Sequence, residues 1–162
     1  MSNKHIDDVL IAVRRVIRAT DLQSKHLVKK TGLTTPQLLI LKAIQREPQL
    51  TLGELSRQIS LSQATVTTII DRLENRELIQ RTRSSDDRRK VFINITQMGS
   101  DILNTAPPVL QEQFINQFNS LKEWEQSMIL SSLQRVAEMM DAQHIDAAPI
   151  LIVDPPTKGA NN

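Results

Sequence analysis

The sequence predicts a mainly α fold carrying one small β-hairpin (α+β), on three observations. Apolar residues recur at helical spacing through most of the 162 residues. Between Leu78 and Ile95 that spacing gives way to the alternation of strands. From Thr51 to Leu73 the helical pattern is cut by a sharp turn into two short pieces.

Residues 5 to 30 form one long helical pattern, with Ile6, Val9, Leu10, Val13 and Ile17 in an apolar stripe that Leu22, Leu27 and Val28 continue loosely. No partner follows within a hairpin's reach, so the stripe must pack on something distant in sequence or on another subunit. Arg14, Arg15 and Arg18 share this helix with the acids Asp7, Asp8 and Asp21. They read as a solvated face or rim ion pairs; the alternative is that one of them faces an anionic effector. Thr31-Gly32 ends the helix, and Leu33 to Leu38 restarts the chain with Thr34 and Gln37 as a capping box, Leu33 and Leu38 as a hydrophobic staple, and Pro36 in the first turn. That second helix runs through Leu38, Leu41 and Ile44 to Glu47-Pro48 and supports the two short helices from behind.

The first short helix opens at Thr51, where Thr51 and Glu54 offer another capping box, Leu50 and Leu55 a staple, and Leu55 and Ile59 one buried face. The pattern stops at Ser60-Leu61. Ser62 caps the next helix, with Leu61 and Val66 as its staple and Val66, Ile69, Ile70 and Leu73 facing a core. Its other face carries Gln63, Thr65, Thr67, Thr68, Asp71 and Arg72: short polar groups, one long cation and no large apolar residue. Two short helices around a tight turn, the second polar outward, describe a helix-turn-helix that offers side chains to base edges in a major groove. On this helix alone, a solvated helix in a small bundle is an equal reading.

The hairpin separates the two. Leu78 to Ser84 and Lys90 to Ile95 are strand-like, and Val91, Ile93 and Ile95 alternate with Phe92 and Asn94. From Arg76 through Lys90 there are six cations (Arg76, Arg81, Arg83, Arg88, Arg89, Lys90) against three acids (Glu77, Asp86, Asp87). Guanidinium forks suit phosphates and the narrow, negatively charged minor groove, whereas a solvated hairpin has no need of so many arginines.

Thr96 caps a further helix in which Ile102, Val109, Leu110, Phe114 and Phe118 space as a buried face, and Pro107-Pro108 predicts a bend near Thr105. The last helix, Lys122 to Gln143, carries Trp124, Met128, Leu133, Val136, Ala137 and Met140 and is the natural partner of the N-terminal stripe. Residues 145 to 162 read as a tail, with an apolar run from Ala147 to Val153 fenced by prolines.

Composition narrows the function. The formal charge is only +2, so affinity for nucleic acid must come from local clustering. With no Cys, disulfides, thiolate catalysis and cysteine zinc sites are excluded, and the three His residues, at 5, 26 and 144, lack ligand spacing, so neither metal nor cofactor is expected. No run approaches the ~18 apolar residues of a membrane span, and the polar start from Ser2 to His5 is unlike a signal peptide. The expected location is cytoplasmic. No phosphate loop, metal cluster or nucleophile with a base stands out, so an enzyme is not expected.

The run from Leu61 to Glu74, then Asp87-Arg88-Arg89, then Ile95-Thr96-Gln97-Met98-Gly99, resembles the MarR family of bacterial transcriptional regulators over roughly residues 6 to 142. The resemblance implies one domain (1-162) with a winged helix-turn-helix unit at 34-96, dimerisation helices at 5-31 and 100-143, and the tail at 145-162. It also implies that the family's Asp-x-Arg wing signature falls on Asp87, which helps hold the wing's shape, and Arg89, which enters the minor groove. Double-stranded DNA is then met in the major groove by Ser62, Gln63, Thr65, Thr67, Thr68 and Arg72 and along the wing by Arg81, Arg83, Asp87, Arg88, Arg89 and Lys90. A homodimer would be held by Ile6, Val9, Leu10, Val13, Ile17, Leu133, Val136 and Met140. An effector pocket between the two parts, lined within 10-30, 36-44 and 100-114, would place Arg14, Arg18 and His26 near a small molecule.

Four departures accompany the resemblance. Thr68 stands where many members carry Arg, so a bidentate guanine contact is unavailable there. Glu77 stands where Gly often ends the recognition helix, so Asn75 is the expected helix end. The Pro107-Pro108 pair interrupts a helix that many members run unbroken, and the C-terminal tail is similar instead to a subgroup tied to compatible-solute genes (ectoine and betaine). The expected function is a dimeric, effector-responsive regulator, usually a repressor, on a pseudo-palindromic operator. The alternative is a helical protein-interaction module without regulated DNA binding.

Overall fold

The computed structural model describes residues 4–85, 87, 90–145, 147, 149 and 150. Their contacts divide the chain into two units, the first ending at Pro107 and the second beginning at Pro108. That division falls inside the 100-143 segment that the sequence assigns to dimerisation.

The first unit opens with α1 (Lys4–Thr31), whose C-terminus is closed by Gly32 in the left-handed region (φ 68°), its amide donating to Val28 O at 2.8 Å. α2 (Thr35–Arg46) starts at the expected box: the Thr34 amide donates to Gln37 Oε1 at 2.9 Å. A strand that the sequence pattern does not announce, β1 (Leu50–Thr51), precedes α3 (Leu52–Ile59) and α4 (Gln63–Asn75). At two residues it is too short to show a period. The hairpin follows as β2 (Ile79–Arg83) and β3 (Val91–Ile95), and α5 (Gln97–Thr105) closes the unit.

The sheet is antiparallel in the order β1-β3-β2, with Leu50 opposite Ile93 and Arg81 opposite Ile93 from the other side. β3 is therefore the central strand, and its Ile93 is buried while Val91, nearer the hairpin tip, is exposed. The core behind α4 consists of Leu33, Leu38, Leu41, Ile44, Leu55, Val66, Ile70, Leu73, Leu78 and Ile79, each almost fully buried. At roughly 1.5–3 kcal/mol per buried aliphatic side chain, this layer supplies the driving force that holds the small reading helices in place.

In the second unit α6 (Leu110–Asn119) and α7 (Glu123–Met139) form a hairpin. Gln126 Nε2 fixes their corner by donating to Phe118 O at 3.0 Å and Leu121 O at 3.1 Å, and the Lys122 amide donates to Glu125 Oε2 at 2.9 Å. Phe114 and Phe118 stack with centroids 5.5 Å apart. Gln111 Nε2 donates to Pro149 O at 3.0 Å, which ties the tail to α6 at that residue.

Several expectations are corrected. The prolines break the helix outright instead of bending it: α5 ends at Thr105 and α6 begins at Leu110, because two adjacent ring-locked residues remove two amide donors in succession. Phe114 is exposed and Phe118 only half-buried, whereas Leu103, absent from the expected face, is buried. The last helix ends at Met139, not Gln143, with Asp141 left-handed at φ 55°. α4 does end at Asn75, yet the left-handed residue is Glu77 after all (φ 58°), so the turn into β2 carries the backbone cost of about 1–2 kcal/mol that glycine would avoid.

Candidate nucleic-acid interface

α4 is aimed by its caps and by the turn before it. Ser60 (φ 55°) reverses the chain after α3, buried Ser56 donates its hydroxyl to Leu61 O, and Ser62 Oγ accepts from the Thr65 amide at 3.2 Å. α3 is held at its own start by reciprocal bonds: the Thr51 amide donates to Glu54 Oε2 at 2.8 Å and the Glu54 amide to Thr51 Oγ1 at 3.4 Å. The Thr51 hydroxyl and amide hold the Glu54 carboxyl below its usual pKa range. Val66, Ile69, Ile70 and Leu73 bury the inner face of α4, as expected. Outward, Ser62, Gln63, Thr65, Thr68, Asp71 and Arg72 are exposed and Thr67 is half-exposed, together with Ala64, which the sequence reading left out.

The hairpin stands beside this helix through a base of specific bonds. The Thr96 amide and hydroxyl donate to Leu78 O (3.0 Å) and Glu77 O (2.7 Å), and Gly99 lies so close beneath that a Cβ there would sit 2.2 Å from Leu78 O. Further out, Asn94 Nδ2 donates to Thr82 Oγ1 at 2.9 Å across the strands. Arg83 and Lys90 are exposed. Asp87 takes part in the loop through its main chain, the amide donating to Ser84 Oγ at 3.3 Å and the carbonyl accepting from Lys90 N at 2.9 Å. Arg88 and Arg89 lie outside the described residues.

Arg81, one of the residues expected along the DNA-facing wing, is held by intramolecular ion pairs. Its Nη2 donates to Asp71 and its Nη1 to Glu74, each at 2.5 Å, so one guanidinium on β2 joins two carboxylates on α4. The Asp71 bond, ahead of Glu74, raises its pKa above the ordinary arginine value. The geometry sets the angle between hairpin and helix and neutralises acids on the face that a polyanion would approach. The residue types were legible in the sequence; the pairing depends on the left-handed Glu77 turn, which the pattern did not show. Arg76, just past the C-terminus of α4, donates from Nη1 to Gly32 O at 2.7 Å and so caps the C-terminus of α1.

The remaining predicted residues sit on the long helices. Ile6, Val9, Leu10 and Ile17 on α1 are exposed and Val13 is half-buried; on α7 and just beyond it Leu133 and Met140 are exposed and Val136 is half-buried. Arg14, Arg18 and His26 are all exposed, and Arg18 bonds Asp21 at 3.1 Å, an acid that Lys25 also holds at 3.0 Å. Among the described residues there is no group of three potential metal ligands, and no helix long and apolar enough to cross a membrane.

This arrangement of a capped polar helix with a braced, cation-bearing antiparallel hairpin has known counterparts. The MarR family pattern matches residues 33–91. The helix-turn-helix transcriptional regulator SarZ of Staphylococcus epidermidis (strain RP62A) is 30% identical over 115 residues, 67% of this chain and 77% of SarZ. The chain belongs to the MarR family. It is accordingly a DNA-binding transcriptional regulator of the helix-turn-helix type. Among solved MarR-type structures, a MepR-like protein complexed with pseudoligands superposes with a TM-score of 0.58 at 26% identity, covering 86% of this chain and 97% of that one. Streptococcus pneumoniae FabT in complex with DNA, at 20% identity, shares the fold with a TM-score of 0.52 over 85% of this chain and 96% of FabT. MarR membership fits the geometry above, in which α3 and α4 form the helix-turn-helix and the β2–β3 hairpin stands as the wing.

Proposed function

We propose that this MarR-family chain is a homodimeric repressor that binds a pseudo-palindromic operator, with α4 in the major groove and Arg83, Arg88, Arg89 and Lys90 of the wing along the flanking backbone and minor groove. The observation that carries this reading is the pairing of an exposed polar recognition helix with a cationic hairpin fixed to it through Arg81. Self-association is supported by the apolar residues left exposed on the long helices: Leu10 (56%) and Val16 (61%) on α1, Trp124 (61%) and Leu133 (57%) on α7. Neither α6 nor α7 has a single buried residue, which a stable helical pair does not tolerate in water. Covering such residues with a second copy contributes roughly 1.5–3 kcal/mol for each one fully buried.

Release by a small molecule is the regulatory part of the proposal, with Arg14, Arg18 and His26 as the groups that would meet an anionic effector. The likeness of the tail to regulators of compatible-solute genes adds osmotic stress as the signal to test first, and the cytoplasm is where such a regulator works. The test joins light scattering to selection from a random-sequence duplex library. A dimer mass at micromolar concentration and enrichment of a two-fold symmetric sequence support the reading; a monomer, or an asymmetric single site, overturns it.

A further inference from the structure

Two threonines on the recognition helix, Thr67 and Thr68, carry hydroxyl protons that are already engaged. Thr67 Oγ1 donates to Gln63 O at 2.7 Å and Thr68 Oγ1 to Ala64 O at 3.1 Å, while Thr65 Oγ1 lies 2.8 Å from the Ser62 hydroxyl at the cap. A threonine side chain has one O–H donor, and those of Thr67 and Thr68 are directed back along the helix, while in the Thr65–Ser62 pair either hydroxyl can donate. What remains of Thr67 and Thr68 for an approaching base edge is the γ-methyl and an acceptor lone pair. Ala64 adds one more methyl, and Thr65, Thr68 and Ala64 are exposed with Thr67 half-exposed.

These four residues occupy the first turns of α4, the part of a helix-turn-helix recognition helix that meets base edges. The major groove offers one apolar group for them, the C5-methyl of thymine; the other base-edge groups are hydrogen-bond donors or acceptors. Resting on the DNA-binding reading above, we propose that Thr67 and Thr68 read thymine by methyl-to-methyl contact, so that specificity under these turns comes from packing against thymine and not from donated hydrogen bonds. Gln63 and Arg72, longer and exposed on either side of this patch, are left to supply the polar contacts.

The experiment uses the full-length chain and a duplex enriched from a random library, resynthesised with deoxyuridine in place of thymidine at one position of each half-site at a time. Deoxyuridine removes only the methyl. Wild type should lose about fourfold in affinity per contacted thymine, the weight of one methyl-sized apolar group. Thr68→Val, which keeps the methyl and lacks the hydroxyl, should bind within about twofold of wild type. Thr68→Ser, which keeps the hydroxyl, should lose about fourfold per half-site on the thymidine duplex, roughly sixteenfold for the dimer, and become indifferent to deoxyuridine at one position of the half-site, the signature of a pairwise contact. Equal wild-type affinity for every deoxyuridine duplex overturns the proposal, and so does tight binding by Thr68→Ser with failure of Thr68→Val, since the hydroxyl would then be the reader. Failure to enrich any duplex is a different result and overturns the DNA-binding reading itself.

Discussion

Removing Arg81 separates a brace from a DNA contact. Arg81→Ala frees Asp71 and Glu74, whose side chains are 53% and 36% exposed, on the flank of the recognition helix. Two partly exposed ion pairs are worth about 0.2–1 kcal/mol each, so the loss of stability should be near 1 kcal/mol. The larger effect falls on DNA. An uncompensated carboxylate about 10 Å from a phosphate in water costs roughly 0.4 kcal/mol, and two or three phosphates in range bring the total near 1 kcal/mol, or about fivefold in Kd at low salt. A phosphate contact by Arg81 would give a similar loss, so the single variant decides nothing. The double variant Arg81→Ala with Asp71→Asn restores the local charge: if Arg81 serves to neutralise Asp71, affinity returns to within about twofold of wild type. Fluorescence anisotropy with a labelled operator at several salt concentrations measures both. A double variant as weak as Arg81→Ala, with the salt slope reduced by about one, would refute the brace and put Arg81 on the phosphates.

Other consequences are local and independent. Glu77→Gly should raise stability in urea denaturation by about 1 kcal/mol, because a residue at φ 58° loses its side-chain clash; a destabilised variant would show that the Glu77 side chain matters more than its backbone. Gly99→Ala should destabilise by roughly 3 kcal/mol or prevent folding, since its Cβ would meet Leu78 O at 2.2 Å and Ile95 Cγ1 at 2.7 Å in a base pinned by Thr96. The depressed Glu54 pKa means that its carboxylate contributes to folding above the unfolded-state value and that this contribution is lost as pH falls through the lowered folded-state value. Glu54→Gln should therefore differ from wild type at neutral pH and converge with it in acid, as read by urea midpoints; a constant difference across pH would contradict the capping role.

Legibility from sequence followed the range of the interaction. Caps are local, and the boxes at Thr34, Thr51 and the serine cap at Ser62 were readable because their partners lie within three residues. The inner face of α4 was readable because Val66, Ile69, Ile70 and Leu73 keep one period. Missed features depend on partners distant in sequence or on backbone angles: β1 pairs with a strand some 40 residues on, Arg81 finds acids through a left-handed Glu77, and Arg76 reaches back to Gly32. Phe114 misled because helical spacing shows that a face is apolar without showing what covers it. The threonine face was read as polar from residue type, whereas the Thr67 and Thr68 hydroxyls turn inward to the helix carbonyls.

Hydroxyl-radical footprinting of wild type and Arg89→Ala on one enriched site, placed in A·T-rich and in G·C-rich flanks, tests the central claim most directly. Wild type should protect two symmetric half-sites centred about one helical turn, roughly 10 bp, apart, with further protection in the flanking minor grooves. Arg89→Ala should lose the flanking protection, weaken binding by about 1–3 kcal/mol and lose most where the flanks are A·T-rich, while the central protections persist at higher protein concentration. A single asymmetric footprint, or identical footprints and affinities for the two proteins, would contradict an account in which a dimer reads DNA through α4 and its wing.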